Sequence, residues 1–373
     1  MKKSEVALSN AGGPQNGLIS VQMQLADPQE SSESTRSDAM QLKPVEEQVV
    51  ALMGASSGIG RKTALRFANR GAKVVVLARN EKGLNSLVEE IRGKGGQATA
   101  MPAEVTEFEQ VKAVADRAVE MYGRLDTWVH LAAVLLVASF EDTTPEEFAR
   151  VVDVNLMGQV HGAMAALPHI KREGGGALIH VSSMGAKRSI PLQSAYCASK
   201  HGIDGFLESL RVELQREKLP ISVTQVMPAT INTPFFDKAR TKLGVKPVAP
   251  PPIYQPGIVS EAILHATENP ARDLVVGGAA KAVILSQTVS PRLLDILLKL
   301  RGFEVHYTSE PKPEDAPDNL FEPIDGYNTV EGSFRDRAHP RSLYNWLQLH
   351  PTVKRGAVAG MAIGALGALR RRM

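Results

Sequence analysis

The chain of 373 residues contains a single cysteine, Cys197, and only two tryptophans. One cysteine excludes an internal disulfide and is typical of a reducing compartment, so we expect a cytoplasmic protein. The 43 basic and 40 acidic side chains leave a formal charge of +3, which does not favour nucleic acid as the partner. Because the nine histidines show no metal-ligand spacing, we predict no metal site.

Long apolar runs are also lacking. The first residues, MKKSEVALSNAGG, have no continuous apolar stretch of the kind a secretory signal needs. The segment ADPQESSESTRSD is polar, so we predict a mobile arm over residues 1–46. Near the other end, the glycine- and alanine-rich run in KRGAVAGMAIGALGALRRRM is shorter than the ~20 residues that span a bilayer. Two interpretations stay open for this tail: attachment to anionic lipid through its basic flanks, and a solvated end.

Residues 47–280 alternate between strand-like and helix-like patterns. QVVALM at 48–53 is a short apolar run ending in glycines, which predicts a buried parallel strand, and KVVVLA at 73–78 follows a helix-like stretch. The same alternation predicts strands near 97–101, 125–131, 177–182, 221–226 and 273–278, with helices at 81–92, 107–122, 145–171 and around SAYCASK. We therefore predict one Rossmann-like α/β domain, a doubly wound parallel sheet with ligands at the carboxyl ends of its strands.

The sequence GASSGIG follows the first predicted strand directly. Glycines at this place let the chain turn sharply, so that its amides approach a pyrophosphate at a helix N-terminus. The G-x-x-x-G-x-G spacing differs from both the G-x-G-x-x-G fingerprint and the P-loop. A purely structural glycine turn is the alternative. The predicted cofactor-binding residues of this loop are Gly54, Ser56, Ser57, Gly58, Ile59 and Gly60.

The second predicted strand ends in LARN. Dinucleotide folds often place an acidic residue here, where it binds the ribose hydroxyls of NAD. Ala78 offers no carboxylate that would repel a phosphate, and Arg79 beside it can pair with the 2′-phosphate of NADP. We therefore predict NADP(H) in preference to NAD(H), with an exposed, unpaired arginine as the alternative.

Tyr196 precedes Lys200 by four residues in SAYCASKHG. Residues four apart lie on the same face of a helix, so the hydroxyl and the ammonium can reach one site. Alone, this spacing is equally typical of a solvated helix face.

Together these motifs resemble the short-chain dehydrogenase/reductase family over roughly residues 48–280. GASSGIG is similar to the family's cofactor loop, with Met53 where a threonine is usual. The resemblance implies that the step Glu104-Val105 touches the adenine ring and that Thr233, in PATINTP, reaches the carboxamide of the nicotinamide. Asn155 in VVDVNLMG matches the family's helix asparagine, and Ser183 in HVSSMGA stands where its catalytic serine does.

The resemblance also implies a chemistry for the catalytic set Asn155, Ser183, Tyr196 and Lys200. Hydride transfer to a carbonyl leaves negative charge on oxygen, which must be stabilised and protonated. Tyr196 would be the acid, Lys200 would lower the pKa of its phenol and hold the nicotinamide ribose, and Ser183 would bind the substrate oxygen. Asn155 would keep a water in line for proton relay.

The expected function is an NADP(H)-dependent oxidoreductase that reduces a ketone or aldehyde, or oxidises a secondary alcohol. The alternative is a non-catalytic nucleotide-sensing regulator or scaffold built on the same domain. The family resemblance further implies a homodimer or homotetramer.

The chain departs from the family pattern at two places near the nicotinamide. It has His130-Leu131-Ala132-Ala133 where the family has Asn-Asn-Ala-Gly, and Ala229 replaces the glycine after Pro228. We therefore expect an altered cofactor geometry there. Cys197 is interpreted as a packing residue and not a nucleophile.

Two segments remain outside this pattern. The proline-rich stretch 237–257 is long enough for an active-site lid, with a stiff surface loop as the alternative. Tyr254 in this stretch, with Phe235 and Phe236 directly before it, favours an apolar substrate. Residues 281–373 form a C-terminal extension, in which the apolar stretch at 282–302 is interpreted as packing on the core, as a dimer contact or as a membrane contact.

Overall fold

The computed structural model describes residues 40–248 and 250–353, and a seven-stranded parallel sheet lies at its centre. The strands are β1 (Val49–Met53), β2 (Lys73–Ala78), β3 (Gln97–Pro102), β4 (Thr127–His130), β5 (Gly176–Val181), β6 (Ile221–Pro228) and β7 (Asp273–Val276). Their order across the sheet is β7-β6-β5-β4-β1-β2-β3, and every neighbouring pair is parallel. This order confirms the predicted doubly wound, Rossmann-like fold.

Helices cover both faces of the sheet. They are α1 (Gly58–Asn69), α2 (Glu81–Gly93), α3 (Phe108–Tyr122), α4 (Pro145–Val152), α5 (Gly158–Arg172), α6 (Ser194–Arg216) and α7 (Gly257–Glu268). In β1, Val50 and Leu52 enter the hydrophobic core on one face, while Val49, Ala51 and Met53 enter the core on the other. Because both faces are buried, the strand is apolar at every position.

The predicted helix at 145–171 is interrupted near its middle. Helix α4 begins with a capping box, in which the Thr144 hydroxyl accepts from the backbone N–H of Glu147 and the Glu147 carboxylate accepts from that of Thr144. A π-helical turn over Asp153–Met157 then joins α4 to α5. Such turns occur at functional sites, and this one contains Asn155.

Short elements tie the proline-rich stretch to the rest of the chain. Arg240–Thr241 pairs with Leu136–Val137, and Val245–Pro247 pairs with Tyr307–Pro311. Ile253–Tyr254 lies between Thr230–Ile231 and Ala338–His339. Short 3-10 turns also occur in the described residues, at Val45–Glu47, Met184–Ala186, Glu304–His306 and Arg335–Arg337. Residues 235–257 are called the lid segment below. Because this pairing holds the segment, it is neither a free lid nor a plain surface loop.

The N-terminal boundary of the domain lies earlier than predicted. Val45 is completely buried, and its backbone N–H donates to the Glu268 carboxylate at 2.9 Å. Lys43 pairs with Asp126 at 2.8 Å. The prediction of a mobile arm is thus wrong for its last residues, which pack on the domain, and residues 1–39 lie outside the described part of the chain.

The C-terminal extension consists of two differently placed parts. Helices α8 (Gly278–Val289) and α9 (Pro291–Arg301) follow β7, and α9 has no buried residue, so the interpretation as core packing is wrong for it. Residues 303–353 return to the domain and include helix α10 (Leu343–Leu349), with Leu320 and Phe334 buried. The glycine- and alanine-rich tail at 354–373 lies outside the described residues.

The helices were compared with the length and hydropathy that a membrane span needs. In the described ranges 40–248 and 250–353, none of them is both long and apolar enough to cross a bilayer.

Candidate active site

A deep cleft opens at the carboxyl ends of β1, β2, β4, β5 and β6, where the doubly wound fold places ligands. The structure brings all the predicted site residues except Asn155 to its lining. These are Gly54, Ser56, Ser57, Gly58, Ile59, Gly60, Arg79, Glu104, Val105, Ser183, Tyr196, Lys200 and Thr233.

The glycine loop has no room for a side chain at Gly54 or Gly60. Gly54 has φ +86°, and a Cβ there would lie 2.6 Å from the backbone nitrogen of Ala132. A Cβ on Gly60 would lie 2.1 Å from the carbonyl oxygen of Gly54. The loop is therefore compact enough for the N-terminus of α1 to face the cleft directly, as binding of a pyrophosphate requires.

Tyr196 and Lys200 converge on the cleft from α6. The Lys200 ammonium lies 5.5 Å from the centre of the Tyr196 ring and donates a hydrogen bond to the Val181 carbonyl at 3.2 Å. Ser183 follows β5, and its hydroxyl lies close enough to the Tyr196 phenol to act on its pKa. The same hydroxyl accepts from the backbone N–H of Gly185 at 3.0 Å. These contacts hold three of the four predicted catalytic side chains at one point.

Burial dominates the protonation of this pair. It raises the pKa of Tyr196 to about 12, although the Ser183 hydroxyl acts in the opposite direction. It lowers the pKa of Lys200 from 10.5 to about 7. Burial is the largest influence on the Tyr196 pKa, and the expectation that Lys200 lowers that pKa stays a prediction.

Asn155 lies behind the cleft and not on its surface. Its side-chain oxygen accepts from the backbone N–H of Val134 at 2.8 Å, and its amide nitrogen donates to the carbonyl of the same residue at 3.0 Å. The side chain is fully buried. Asn155 thus clamps the chain that leaves β4, and a role in a water relay stays a prediction.

Charged groups gather in the part of the cleft beside the carboxyl end of β2. This part is called the adenosine end below, because a dinucleotide fold places the adenosine ribose there. Arg79 donates to the carbonyls of Asn319 and Phe321, at 2.6 and 2.7 Å, so the interpretation as an exposed, unpaired arginine is wrong. The carboxylate of Glu104 pairs with Arg150 at 2.6 Å and with Arg79 at 3.5 Å. Its other oxygen is buried without a hydrogen-bond partner among the described residues, which fits an acceptor for the amino group of adenine.

The departures from the family pattern leave the cleft intact. His130 is completely buried, faces away from the cleft and stacks on His180 with 6.3 Å between ring centres. Burial holds the pKa of His130 well below its usual range, so the ring is neutral. Leu131 and Ala132 do line the cleft. The histidine therefore changes the packing of the sheet core and adds no charge near a cofactor.

Only two of the three aromatic residues assigned to the lid reach the site. Phe235 and Phe236 line the cleft, and the Phe235 ring centre lies 6.0 Å from that of Tyr196. Tyr254 is instead buried, in a strand that pairs with Ile231, and it does not line the cleft. The prediction that Tyr254 belongs to the lid of the site is therefore wrong, because its strand is paired on both sides, with Thr230–Ile231 and with Ala338–His339.

Several lining residues were not predicted. They include Lys238 of the lid segment and Asn319, Pro323 and Ile324 of the C-terminal extension. Residues 319–332, called the strap below, run along the adenosine end, where the backbone N–H of Gly58 donates to the Thr329 carbonyl at 2.9 Å. No local sequence signal reports a contact between residues so far apart in the chain.

Cys197 behaves as a packing residue. It is buried, its sulfur accepts from the backbone N–H of Ile190 at 3.3 Å, and burial raises its pKa. A thiol held in its neutral form is a poor nucleophile.

A doubly wound sheet whose glycine loop and tyrosine–lysine pair share one cleft defines a class of dehydrogenases. Residues 48–244 match the family described as short chain dehydrogenase, and the chain belongs to this family. The Bacillus subtilis protein described as uncharacterized oxidoreductase YxnA is 37% identical over 328 residues, which are 87% of this chain and 92% of that protein. The protein is therefore an oxidoreductase of the short-chain dehydrogenase family.

Solved structures with bound nucleotides resemble this one. A variant of actinorhodin polyketide ketoreductase with NADPH matches with a TM-score of 0.55 and 28% identity, over 64% of this chain and 99% of that one. A 7α-hydroxysteroid dehydrogenase complexed with NADH and 7-oxo glycochenodeoxycholic acid matches with a TM-score of 0.55 and 26% identity, over 62% and 94%. These neighbours support a nicotinamide cofactor for this chain.

Proposed function

We propose that this protein is an NADP(H)-dependent oxidoreductase that reduces a ketone or aldehyde, or oxidises a secondary alcohol. The observation that carries the proposal is the meeting of Ser183, Tyr196 and Lys200 in the cleft that the glycine loop also lines. A nucleotide sensor would need the loop and Arg79 alone, so this convergence favours turnover over the scaffold alternative.

The cofactor would lie along the cleft. The residues that would hold it are Gly54, Ser56, Ser57, Gly58, Ile59, Gly60, Arg79, Glu104, Val105, Tyr196, Lys200 and Thr233. When bound, the nicotinamide supplies the hydride. Ser183 then hydrogen-bonds the substrate oxygen, and Tyr196 gives that oxygen its proton from the phenol. Asn155 does not line the cleft. Its hydrogen bonds to the backbone of Val134 would instead fix the segment after β4, which does line it.

The high pKa of Tyr196 suits the reductive direction. Reduction requires the neutral phenol, and a pKa of about 12 keeps the phenol neutral at pH 7. An alkoxide is a base comparable to hydroxide and stronger than a phenolate, so a proton moves from Tyr196 to it favourably. Oxidation needs the phenolate, which forms only with the help of the Lys200 ammonium. The neutral phenol is therefore the protonation state that carbonyl reduction requires.

The substrate is proposed to be an apolar carbonyl compound. Phe235 and Phe236 form one wall of the cleft beside Tyr196, and apolar walls with a few polar groups are typical of such sites. The structural neighbours include a polyketide ketoreductase and a hydroxysteroid dehydrogenase, whose names indicate carbonyl or alcohol chemistry.

Calorimetric titration of the purified protein with NADPH and with NADH tests the cofactor without any assumption about substrate. We expect both to bind, with NADPH the tighter by at least tenfold. A panel of apolar ketones and aldehydes, followed through the absorbance of the reduced nicotinamide, then tests turnover. A protein that binds neither nucleotide would contradict the proposal, and one that binds NADPH but turns over no carbonyl would favour the scaffold.

We further propose that the protein is cytoplasmic and touches anionic membranes from its C-terminal side. In α9, Leu293, Ile296, Leu297 and Leu300 are each more than half exposed, and their i, i+3, i+4, i+7 spacing forms one apolar stripe. The basic residues of this helix are Arg292, Lys299 and Arg301, and its one acid, Asp295, pairs with Arg188. A basic helix with an outward apolar stripe suits anionic lipid and would repel a second copy of itself.

Flotation of the full chain with vesicles tests this contact. We expect the protein to float with vesicles that contain phosphatidylglycerol and to stay behind with pure phosphatidylcholine. The double substitution Ile296→Ser and Leu300→Ser should abolish flotation, whereas Met164→Ser, at a residue equally exposed on another helix, should not. Absence of flotation at low salt would overturn the proposal. Light scattering of the same samples measures the homodimer or homotetramer that we also propose.

A further inference from the structure

Lys238 of the lid segment reaches the adenosine end of the cleft. Its ammonium donates to the Ser57 hydroxyl at 2.8 Å, and Ser57 is the residue that precedes α1. Arg79, at the end of β2, is close enough to act on its charge. The lysine therefore lies between the glycine loop and the end of β2.

The other lysines of the lid segment are neutralised, and Lys238 is not. Lys242 pairs with Glu147 at 3.0 Å, and Lys246 pairs with Asp237 at 3.0 Å. Among the described residues, no carboxylate lies within ion-pair distance of Lys238, and the neighbouring Asp237 is engaged by Lys246 and by the Ser333 hydroxyl at 2.6 Å. A hydroxyl alone is a weak partner for a partly buried cation.

The strap fixes both cations at this place. The backbone N–H of Asn319 donates to the carbonyl of Lys238 at 3.0 Å, while the carbonyls of Asn319 and Phe321 accept from Arg79. Leu320, between them, is completely buried and anchors this part of the strap. Two cations that repel each other are thus held together by hydrogen bonds to neutral backbone groups of the strap, an arrangement that is stable when an anion joins them.

Two carboxylates moderate this charge without cancelling it. Glu104 is 3.5 Å from Arg79 but is bound more closely by Arg150, and Glu322 acts on Arg79 from farther away. Neither pairs with Lys238. An excess of positive charge therefore remains between Ser57 and Arg79, on the side of the cleft that Lys238 lines.

In a dinucleotide fold the adenosine ribose lies at the end of β2. The 2′ position carries a hydroxyl in NAD and a phosphate in NADP, which has a charge of about −2 at neutral pH and three acceptor oxygens. We infer that Lys238 and Arg79 together bind the 2′-phosphate of NADP, and that Lys238 is a determinant of cofactor specificity supplied by the lid segment. This inference rests on the proposed function.

Binding of four nucleotides to Lys238→Met tests the inference by calorimetry: NADPH, NADH, 2′,5′-ADP and 5′-AMP. Methionine keeps the length of the side chain and removes its charge. We expect the dissociation constants of NADPH and 2′,5′-ADP to rise about 10- to 100-fold, as loss of a charge-assisted hydrogen bond predicts, and those of NADH and 5′-AMP to change less than about twofold. Lys238→Arg should keep most of the affinity for NADPH.

The matched control is Lys242→Met, which removes a lysine from the same segment outside the cleft and leaves the partner of Asp237 in place. Melting curves of all variants show whether each is folded. Unchanged affinity of folded Lys238→Met for NADPH, or equal losses for NADPH and NADH, would overturn the inference and leave the proposed function standing. A wild-type protein that prefers NADH, or binds neither nucleotide, would overturn both.

Discussion

The Lys200 ammonium lies 5.5 Å from the centre of the Tyr196 ring and is bound to the carbonyl of Val181, not to the phenol. The two groups are therefore neighbours that interact through charge rather than through a shared proton. Burial keeps the phenol neutral and brings the lysine to half protonation near pH 7. This protonation state is the one that the proposed role of Tyr196 as proton donor requires.

Replacement of Tyr196 by Phe removes the proposed acid while leaving the ring. We expect carbonyl reduction to fall by about 10²- to 10⁴-fold, the usual contribution of general acid–base catalysis. Affinity for NADPH should change little, because the ring and Lys200 remain. Steady-state rates and calorimetry on the same preparation measure both effects, and undiminished turnover would refute the role of Tyr196.

Replacement of Lys200 by Met should stabilise the protein in a manner that depends on pH. The folded state lowers the pKa of Lys200 from 10.5 to about 7, so the cost of its burial is complete below pH 7 and is lost as the pH rises toward 10.5. The Val181 carbonyl keeps a partner in Gln159, at 3.0 Å.

Melting temperatures of the wild type and Lys200→Met at pH 7 and pH 9.5 measure this effect. We expect the variant to melt roughly 3 °C or more above the wild type at pH 7, with a smaller difference at pH 9.5. Its catalytic activity should be lost. A difference that is negative at pH 7, or equal at both values, would contradict the proposed cost of the buried ammonium.

Replacement of Asn155 by Ala should destabilise the fold. It leaves the backbone N–H and carbonyl of Val134 buried without their partners. Each such group costs about 1–3 kcal/mol, so we expect a loss of about 2–4 kcal/mol in the free energy of unfolding. Urea denaturation measures it, with the exposed Asn269→Ala as control. Equal midpoints for Asn155→Ala and the wild type would show that the clamp is dispensable.

Affinity for NADPH should depend on pH through Lys238. Burial and the nearby Arg79 lower the pKa of this lysine to about 8, against the influence of Asp237. Arg79 stays charged, and the 2′-phosphate is a dianion well above its pKa of ~6. As the pH rises from 7 to 9.5, Lys238 loses its proton and the affinity for NADPH should fall.

The dependence should be weak for NADH and absent in Lys238→Met, which gives the experiment an internal control. Dissociation constants at five values of pH, at fixed ionic strength, are sufficient. The same decline in wild type and Lys238→Met would assign the pH dependence to another group.

The sheet was predictable because its signals are local. The five residues of β1 are apolar throughout and alternate between two cores, and GASSGIG follows them directly. The spacing of Tyr196 and Lys200 required only the geometry of one helix. The π-helical turn at Asn155 was not predictable. The spacing of apolar residues predicts a helix over this segment, but it does not distinguish an α-helical turn from a π-helical turn with one extra residue.

The remaining features depend on contacts between distant parts of the chain. Arg79 meets residues 319 and 321, and Lys238 meets Asn319, yet neither side of these contacts carries a motif. Tyr254 was assigned to the cleft because its neighbours are prolines, and its pairing with Ile231 and His339 places it elsewhere. Such errors occur where tertiary pairing overrides a local pattern.

The hydrogen bond between Gly58 and the Thr329 carbonyl has a consequence for biosynthesis. A ribosome has synthesised all seven strands of the sheet when it reaches residue 276, some fifty codons before it reaches Thr329. A nascent chain therefore acquires its Rossmann sheet before it acquires the last wall of the nucleotide cleft. A premature stop codon between these points would release a polypeptide with every residue of the catalytic set and an adenosine end open to solvent.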